Sequence, residues 1–217
     1  MDILSQILDN GSELTTLLMT ALMFLPTIIF MMTSFVRVII TFSFIKSALG
    51  AQQSIPNQIL VGLAMCITLF IMSPVMNKVA ENSIRPYMNQ EITMQEAYDE
   101  FRKPVAEFLL KQTRESDLEL FAKNSSIDTT NLKDEELPLS IIVPAFAISE
   151  LKTAFQIGFI IYIPFLVIDL VVSSTLMSMG MFMLPPAMIS LPFKLLLFVM
   201  VDGWNLLIKS LIESFKV

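Results

Sequence analysis

Two long apolar segments, separated only by a Met- and Pro-rich turn, constrain this chain more than any other feature. AFQIGFIIYIPFLVIDLVVSSTLMSM runs over 154–179, and AMISLPFKLLLFVMVDGWNLLI over 187–208. Each is long enough to cross a bilayer, which takes about 20 apolar residues at about 1.5 Å rise per residue. Each also carries charge deep inside: Asp169 in the first, Lys194 and Asp202 in the second. The turn between them presents Met181, Phe182 and Met183, held between Gly180 and Pro185-Pro186. A hairpin facing lipid has no use for buried charges or for a greasy turn. These segments are therefore expected to pack into protein, with the turn placed where it serves a function.

Composition supports a membrane class. Of 217 residues 54% are hydrophobic and 16% charged, and the mean hydropathy is +0.70; such values, concentrated in blocks, belong to membrane proteins. A net charge of −6 leaves no basic face to displace counterions, so nucleic acid is excluded as a partner. There is no His and a single Cys, Cys66. That removes His-based metal sites, His-based triads and any intrachain disulfide. No cofactor or metal is expected.

In chain order, the acidic start (Asp2, Asp9, Glu13) lacks the positive region and cleavage site of a secretory signal, so the first apolar block is expected to be retained. That block, Leu14 to Ile45, exceeds one bilayer thickness and contains Pro26 and Arg37, which fits a tilted or broken helix or a span continuing into a protein-covered extension. After the connection KSALGAQQSIPN comes Ile59 to Met76, an uncharged span expected to end or kink near Ser73-Pro74. Residues 77–138 differ in kind: they hold eight of the 14 basic and 13 of the 20 acidic residues. Thr93-Met94-Gln95-Glu96 and Ser116-Asp117-Leu118-Glu119 read as capping boxes. Tyr98, Phe101, Val105, Phe108 and Leu109 recur at helical spacing, with Pro104 expected to open a second helix. The segment reads as a small insert of amphipathic helices that packs on a neighbour and ends in the acidic stretch Asn124 to Glu136.

The expected fold is thus an all-α membrane protein of two long helical hairpins, about four apolar spans, with a small helical extracytoplasmic insert. Its parts are 1–76, 77–138 and 139–217. Lys46, the one charge on the first connection, sets a cytoplasmic side, with the insert and both termini on the opposite side and the Met-rich turn inside.

Arg37, Glu150, Lys152, Asp169, Lys194 and Asp202 lie in or beside apolar runs. A charge at the bilayer centre costs about 2.5–3.5 kcal/mol on insertion scales, so such residues face protein or water and pair. Glu150 and Lys152 are two apart on a helix, cannot neutralise each other and suit pairing between copies. Asp169 and Lys194 fall at similar depths of the hairpin and suit pairing within one chain. Two readings stand for this set: charges that hold helices in register, or charges that line an aqueous path. Two also stand for Met181, Phe182 and Met183. They fill an interior, or they meet their counterparts from other copies as a deformable apolar constriction.

The segments SFVRVIITFSFIKSALGAQQSIPNQILVGLAMCITLFIMSPV, AFAISELKTAFQIGFIIYIPFLVIDLVVSSTLMSMGM and PPAMISLPFKLLLFVMVDGW resemble the FliP family over Ser34 to Trp204. That resemblance implies the flagellar biosynthetic protein of the type III export apparatus, in the bacterial inner membrane at the basal body. It implies a homopentamer completed by two smaller membrane subunits and a switch subunit, through whose centre unfolded flagellar substrates pass. It further implies that a run of methionines between the last two long helices closes the pore as a gasket, and that the assembled core stands largely outside the membrane plane. Met181, Phe182 and Met183 occupy that run, with a stiffer Phe at its centre. Two other classes are open to the residues alone. An intramembrane aspartyl protease would pair Asp169 with Asp202, but the Tyr-Asp and Gly-x-Gly-Asp settings of presenilin-like enzymes are missing, so no enzymatic activity is expected. A proton-coupled small-solute transporter would use buried carboxylates and broken helices, but the chain shows no internal repeat.

Overall fold

A single helix of 40 residues, Leu139–Ser178, is the mast of the molecule. The structure is a computed structural model and describes residues 11–51, 55–125 and 136–215. In chain order the helices are α1 (Gly11–Met31), α2 (Phe35–Ala48), α3 (Asn57–Val79), α4 (Arg85–Met88), α5 (Met94–Gln112), α6 (Glu115–Lys123), α7 (Leu139–Ser178), α8 (Pro186–Met200) and α9 (Gly203–Glu213). A π-helical turn, Ala80–Ile84, joins α3 to α4 without a break. No strand occurs among the described residues. Most of the expected acidic start, residues 1–10 of 1–13, and most of the stretch after Asn124 lie outside the described residues.

The core forms where α2 lies along the first third of α7. Val38, Phe42 and Ile45 on α2, with Leu49 at its C-terminal cap, recur at helical spacing and are almost fully buried, as are Ile141, Ile142, Ala145 and Phe146 on α7. Gly158 lets the two helices approach further along: a Cβ there would lie 2.4 Å from the Phe44 ring. α3 closes a second side with Ile67, Ile71, Val75 and Val79, and the insert closes a third with Val105, Ala106, Phe108, Leu109 and Leu118. The insert was expected to need a neighbour; its apolar stripe finds one in its own chain, on α7 and α3.

The first apolar block is broken as expected, into two helices separated at residues 32–34, while other boundaries differ from the sequence reading. Its second half, α2, is interior to the chain, with half of its 14 residues buried. The span from Ile59 does not end at Pro74 but runs on to Met88. The buried face of α3 continues past the proline as Val75 and Val79, and that burial outweighs the local cost, about 3 kcal/mol, of a proline inside a helix. Pro104 likewise sits inside one helix, α5, flanked by buried Val105 and Phe108. Among the described residues, two helical rods are long and apolar enough to cross a membrane, Asn57–Met88 and Leu139–Ser178. A third counts only if α8 and α9, bent by 62°, are taken as one broken span. Among the described residues the chain is all-helical with two or three membrane-capable segments, where about four were expected.

At about 1.5 Å per residue α7 is about 60 Å long, against about 40–45 Å for a whole bilayer with its headgroups. One end of it therefore projects beyond any membrane it crosses.

Candidate functional site

The turn after α7 is built by its termini. The amides of Gly180 and Met181 donate to the carbonyls of Met177 (3.1 Å) and Leu176 (3.0 Å), the paired bonds of a Schellman helix end. That closure requires the left-handed conformation that Gly180 adopts at φ +75°. On the far side Pro185 caps α8 in an extended conformation and Pro186 is its first residue, a position that needs no amide hydrogen. Both ends of the turn are thus fixed, and the residues between them have nowhere to fold away. Met183 is 96% exposed and Phe182 79%, while Met181 is half-buried. Met179, Leu184 and Met188 extend the apolar surface around them. A single copy leaves bare the apolar side chains that solvated loops avoid.

Below the turn, α7 and α8 are tied by one carboxylate. Lys194 Nζ donates to Asp169 Oδ2 at 2.6 Å and Ser190 Oγ to Asp169 Oδ1, also at 2.6 Å. Both lone-pair sets of Asp169 are engaged, and Lys194 is buried. About 28 Å further down α7, at about 1.5 Å per residue, lies a second level of charge. Arg37 Nε donates to Glu150 Oε2 at 2.8 Å and its Nη2 to Oε1, a two-pronged fork in which the carboxylate side chain is 0% exposed. The third prong, Nη1, reaches the Ser214 carbonyl (3.0 Å) and hydroxyl (2.9 Å).

Glu150 and Lys152 were expected to pair between copies. In the structure each has a partner within the chain: Arg37 for Glu150, and Asp117 for Lys152. The two-residue separation does send them to different faces, but helices of the same molecule stand on both. Asp117 was read as part of a capping box. Instead α6 begins at Glu115 with Arg114 as its uncapped start, and the Arg114 amide donates to Ser149 Oγ on α7 at 3.0 Å. Asp117 turns inward, accepting from Ser149 Oγ at 2.8 Å and from Lys152 Nζ. Burial raises its carboxyl, but the bonds from Lys152 and Ser149 and the charges of Lys152 and Arg114 outweigh that and hold it below the usual carboxylate range. The other capping box is present: Glu96 N–H donates to Thr93 Oγ1 (3.3 Å) and Thr93 N–H to Glu96 Oε2 (2.8 Å).

Asp202 stands apart. It is exposed, sits at the bend between α8 and α9 with φ +50°, and accepts from Asn205 Nδ2 at 3.1 Å. Asp169, tied to Lys194 and Ser190, shares no proton site with it, so the carboxylate dyad of a protease is not assembled. Ser149, Ser190, Ser214 and Phe215 escaped the sequence reading, and Asp117 entered it only as part of a helix cap. A search for opposite charges in apolar runs passes over hydroxyls, and over an acid such as Asp117 inside a polar insert.

An all-helical chain with membrane-capable rods, buried ion pairs holding them in register and an exposed apolar turn at one end defines a helical protein of membrane-capable architecture. Comparison with known proteins narrows that class. A model of the FliP family matches residues 18–211. The flagellar biosynthetic protein FliP of Bacillus subtilis (strain 168) is 53% identical over 200 residues, covering 92% of this chain and 90% of that protein. The protein of that name from Pectobacterium carotovorum is 51% identical over 219 residues, covering 98% of this chain and 84% of the relative. The one from Buchnera aphidicola subsp. Baizongia pistaciae is 51% identical over 220 residues, where the chain is 99% covered but spans only 61% of the relative's length. The chain belongs to the FliP family, a family of flagellar biosynthetic proteins.

Proposed function

We propose that this chain is a subunit of the flagellar type III protein export gate in the bacterial inner membrane. Five copies, with two smaller membrane subunits of the gate and a switch subunit, surround a central pore at the basal body through which unfolded export substrates cross. The gasket of that pore is the turn Met181-Phe182-Met183, anchored by Gly180, Pro185 and Pro186. The observation that supports this reading best is the exposure of Phe182 and Met183 on a turn fixed at both ends: an apolar surface that a lone copy leaves bare is covered when copies meet at an axis. Flexible thioether side chains then exclude water and ions, yet rotate aside for a polypeptide with few hydrogen bonds to break. In this assembly the insert lies outside the cytoplasm and the chain acts by position, without a cofactor.

Replacing Met181, Phe182 and Met183 by Ala tests the gasket. The expected result is a particle of unchanged mass and ring symmetry in detergent, in cells that have become permeable to small ions. Phe182→Met is expected to keep the barrier. A fully assembled triple variant with an unchanged ion barrier assigns the turn to packing instead.

A further inference from the structure

We propose that Ser214 and Phe215, just beyond α9, form a strap that keeps the bend between α8 and α9 closed and answers to the position of the acidic insert. The bend has two parts. Its outer side is Asp202 in the left-handed region, φ +50° and ψ +52°, a conformation that Asp tolerates better than most residues but that no side chain other than hydrogen prefers. Right-handed helix is the ordinary alternative for the same residue, so the backbone at 202 has two discrete states rather than a continuum. The inner side is an aromatic stack. A Cβ on Gly203 would lie 2.3 Å from the Phe198 ring; Phe198 meets Trp204 edge-on at 5.4 Å, and Trp204 meets Phe42 edge-on at 6.1 Å.

α9 has little backbone contact with any element but α8. Leu207 and Leu211 are buried in the core, Trp204, Ile208 and Ile212 pack against it, and the strap is a further fastening at the far end of α9. Arg37 holds Ser214 through the carbonyl and the hydroxyl, and its guanidinium lies 3.8 Å from the centre of the Phe215 ring. That ring also stacks with Phe108, at 6.4 Å and 18°. Phe108 belongs to α5, in the insert. The strap therefore touches both the Arg37–Glu150 pair of the core and the insert. A displacement of the insert removes one of these two contacts, and α9 is then held at a bend whose backbone has another state to adopt. The two ends of α8 are this bend and the Met-rich turn, so the strap joins the insert to the hairpin that carries the turn.

The test is made on the full chain in its assembled membrane complex, in a Cys66→Ser background, with spin labels replacing Glu213 on α9 and the exposed Ser43 on α2, and labelled copies diluted in unlabelled ones. Glu213 lies about 16 Å along the helix from Asp202, at about 1.5 Å per residue. Undoing the 62° bend displaces it by about 17 Å at that helical rise. The unmodified chain is expected to give one distance. Phe215→Ala and Phe108→Ala are each expected to add a population displaced by more than about 10 Å on that scale, and the double variant to add no more than either alone. Phe215→Leu, which keeps the space filled without the ring, is expected to add less. Asp202→Val, which disfavours the left-handed state, is expected to open the bend with the strap intact. A single unshifted distance in Phe215→Ala alongside a displaced one in Asp202→Val overturns the strap; an unshifted distance in Asp202→Val overturns the two-state bend.

Discussion

Arg37 is the most heavily used side chain in the molecule: two prongs on Glu150, one on Ser214, and its face against Phe215. Such a pair is poor evidence of net stability, because desolvating both ions offsets most of their attraction. Breaking it is another matter, since the survivor stays buried and unpaired. Glu150→Gln is expected to destabilise the chain by about 3–5 kcal/mol, read as a lowered unfolding midpoint in detergent, whereas Arg37→Met with Glu150→Leu is expected to recover much of that loss. A midpoint unchanged in Glu150→Gln would show that the pair is dispensable. Asp117 gives a pH dependence of known sign. Its carboxyl is held below the usual range in the folded chain, while in the unfolded chain it titrates near its ordinary value of about 3.9. The stability it contributes is present above that value and is lost as the pH falls through the folded one. The gap in unfolding temperature between the unmodified chain and Asp117→Asn is therefore expected to be constant near neutrality and to close below about pH 4; a gap that persists into acid contradicts the assignment.

At the scale of helices, glycine contacts set how closely elements approach. A Cβ on Gly158 meets three atoms of Phe44 at 2.9 Å or less, and α2 against α7 is the largest helix contact in the chain. Gly158→Leu is expected to push α2 off α7 and loosen the Arg37–Glu150 fork nearby, seen as faster hydrogen exchange across α2; unchanged exchange would mean that the helices slide without cost. The limits of sequence reading lie at this scale. Thr93 and Glu96 announced a helix start because a capping box is local, and it is there. Ser116 to Glu119 has the same pattern and caps nothing, because Arg114 and Asp117 reach Ser149 and Lys152 on a helix 32 or more residues away. Pro74 and Pro104 are local breakers overruled by buried faces that continue on either side. The Asp169–Lys194 pair was legible, since a hairpin folded about its turn sets the two at one depth. The Arg37–Glu150 pair was not: residues 113 apart in sequence have no such geometric tie.

The whole molecule carries more apolar surface than one chain can use. Phe155, Phe159, Ile160, Ile163, Leu166 and Val167 are exposed on α7 between its two charged levels, and Ile59, Met65, Leu69 and Phe70 on α3. Contiguous apolar patches larger than a few hundred Å² mark contacts with protein or with lipid. The two occupants make different demands. Lipid contact would set the stretch of α7 between Glu150 and Asp169, about 28 Å at 1.5 Å per residue, across the hydrocarbon core, with buried ion pairs at both of its faces. In a ring of copies the same stretch instead packs on the next subunit, and the charged levels mark the heights at which helices register. The proposed gate requires the second arrangement, because its turns reach a common axis only if the hairpins behind them stand side by side. Cysteines replacing Phe159 and Ile160, 65% and 68% exposed in the single chain, are expected to form disulfide-linked or bis-maleimide-linked dimers in the assembled complex. Labels at the same positions are expected to escape quenching by spin-labelled acyl chains. Strong quenching with no cross-link between copies would put this face in lipid and would leave the turns without a ring to close.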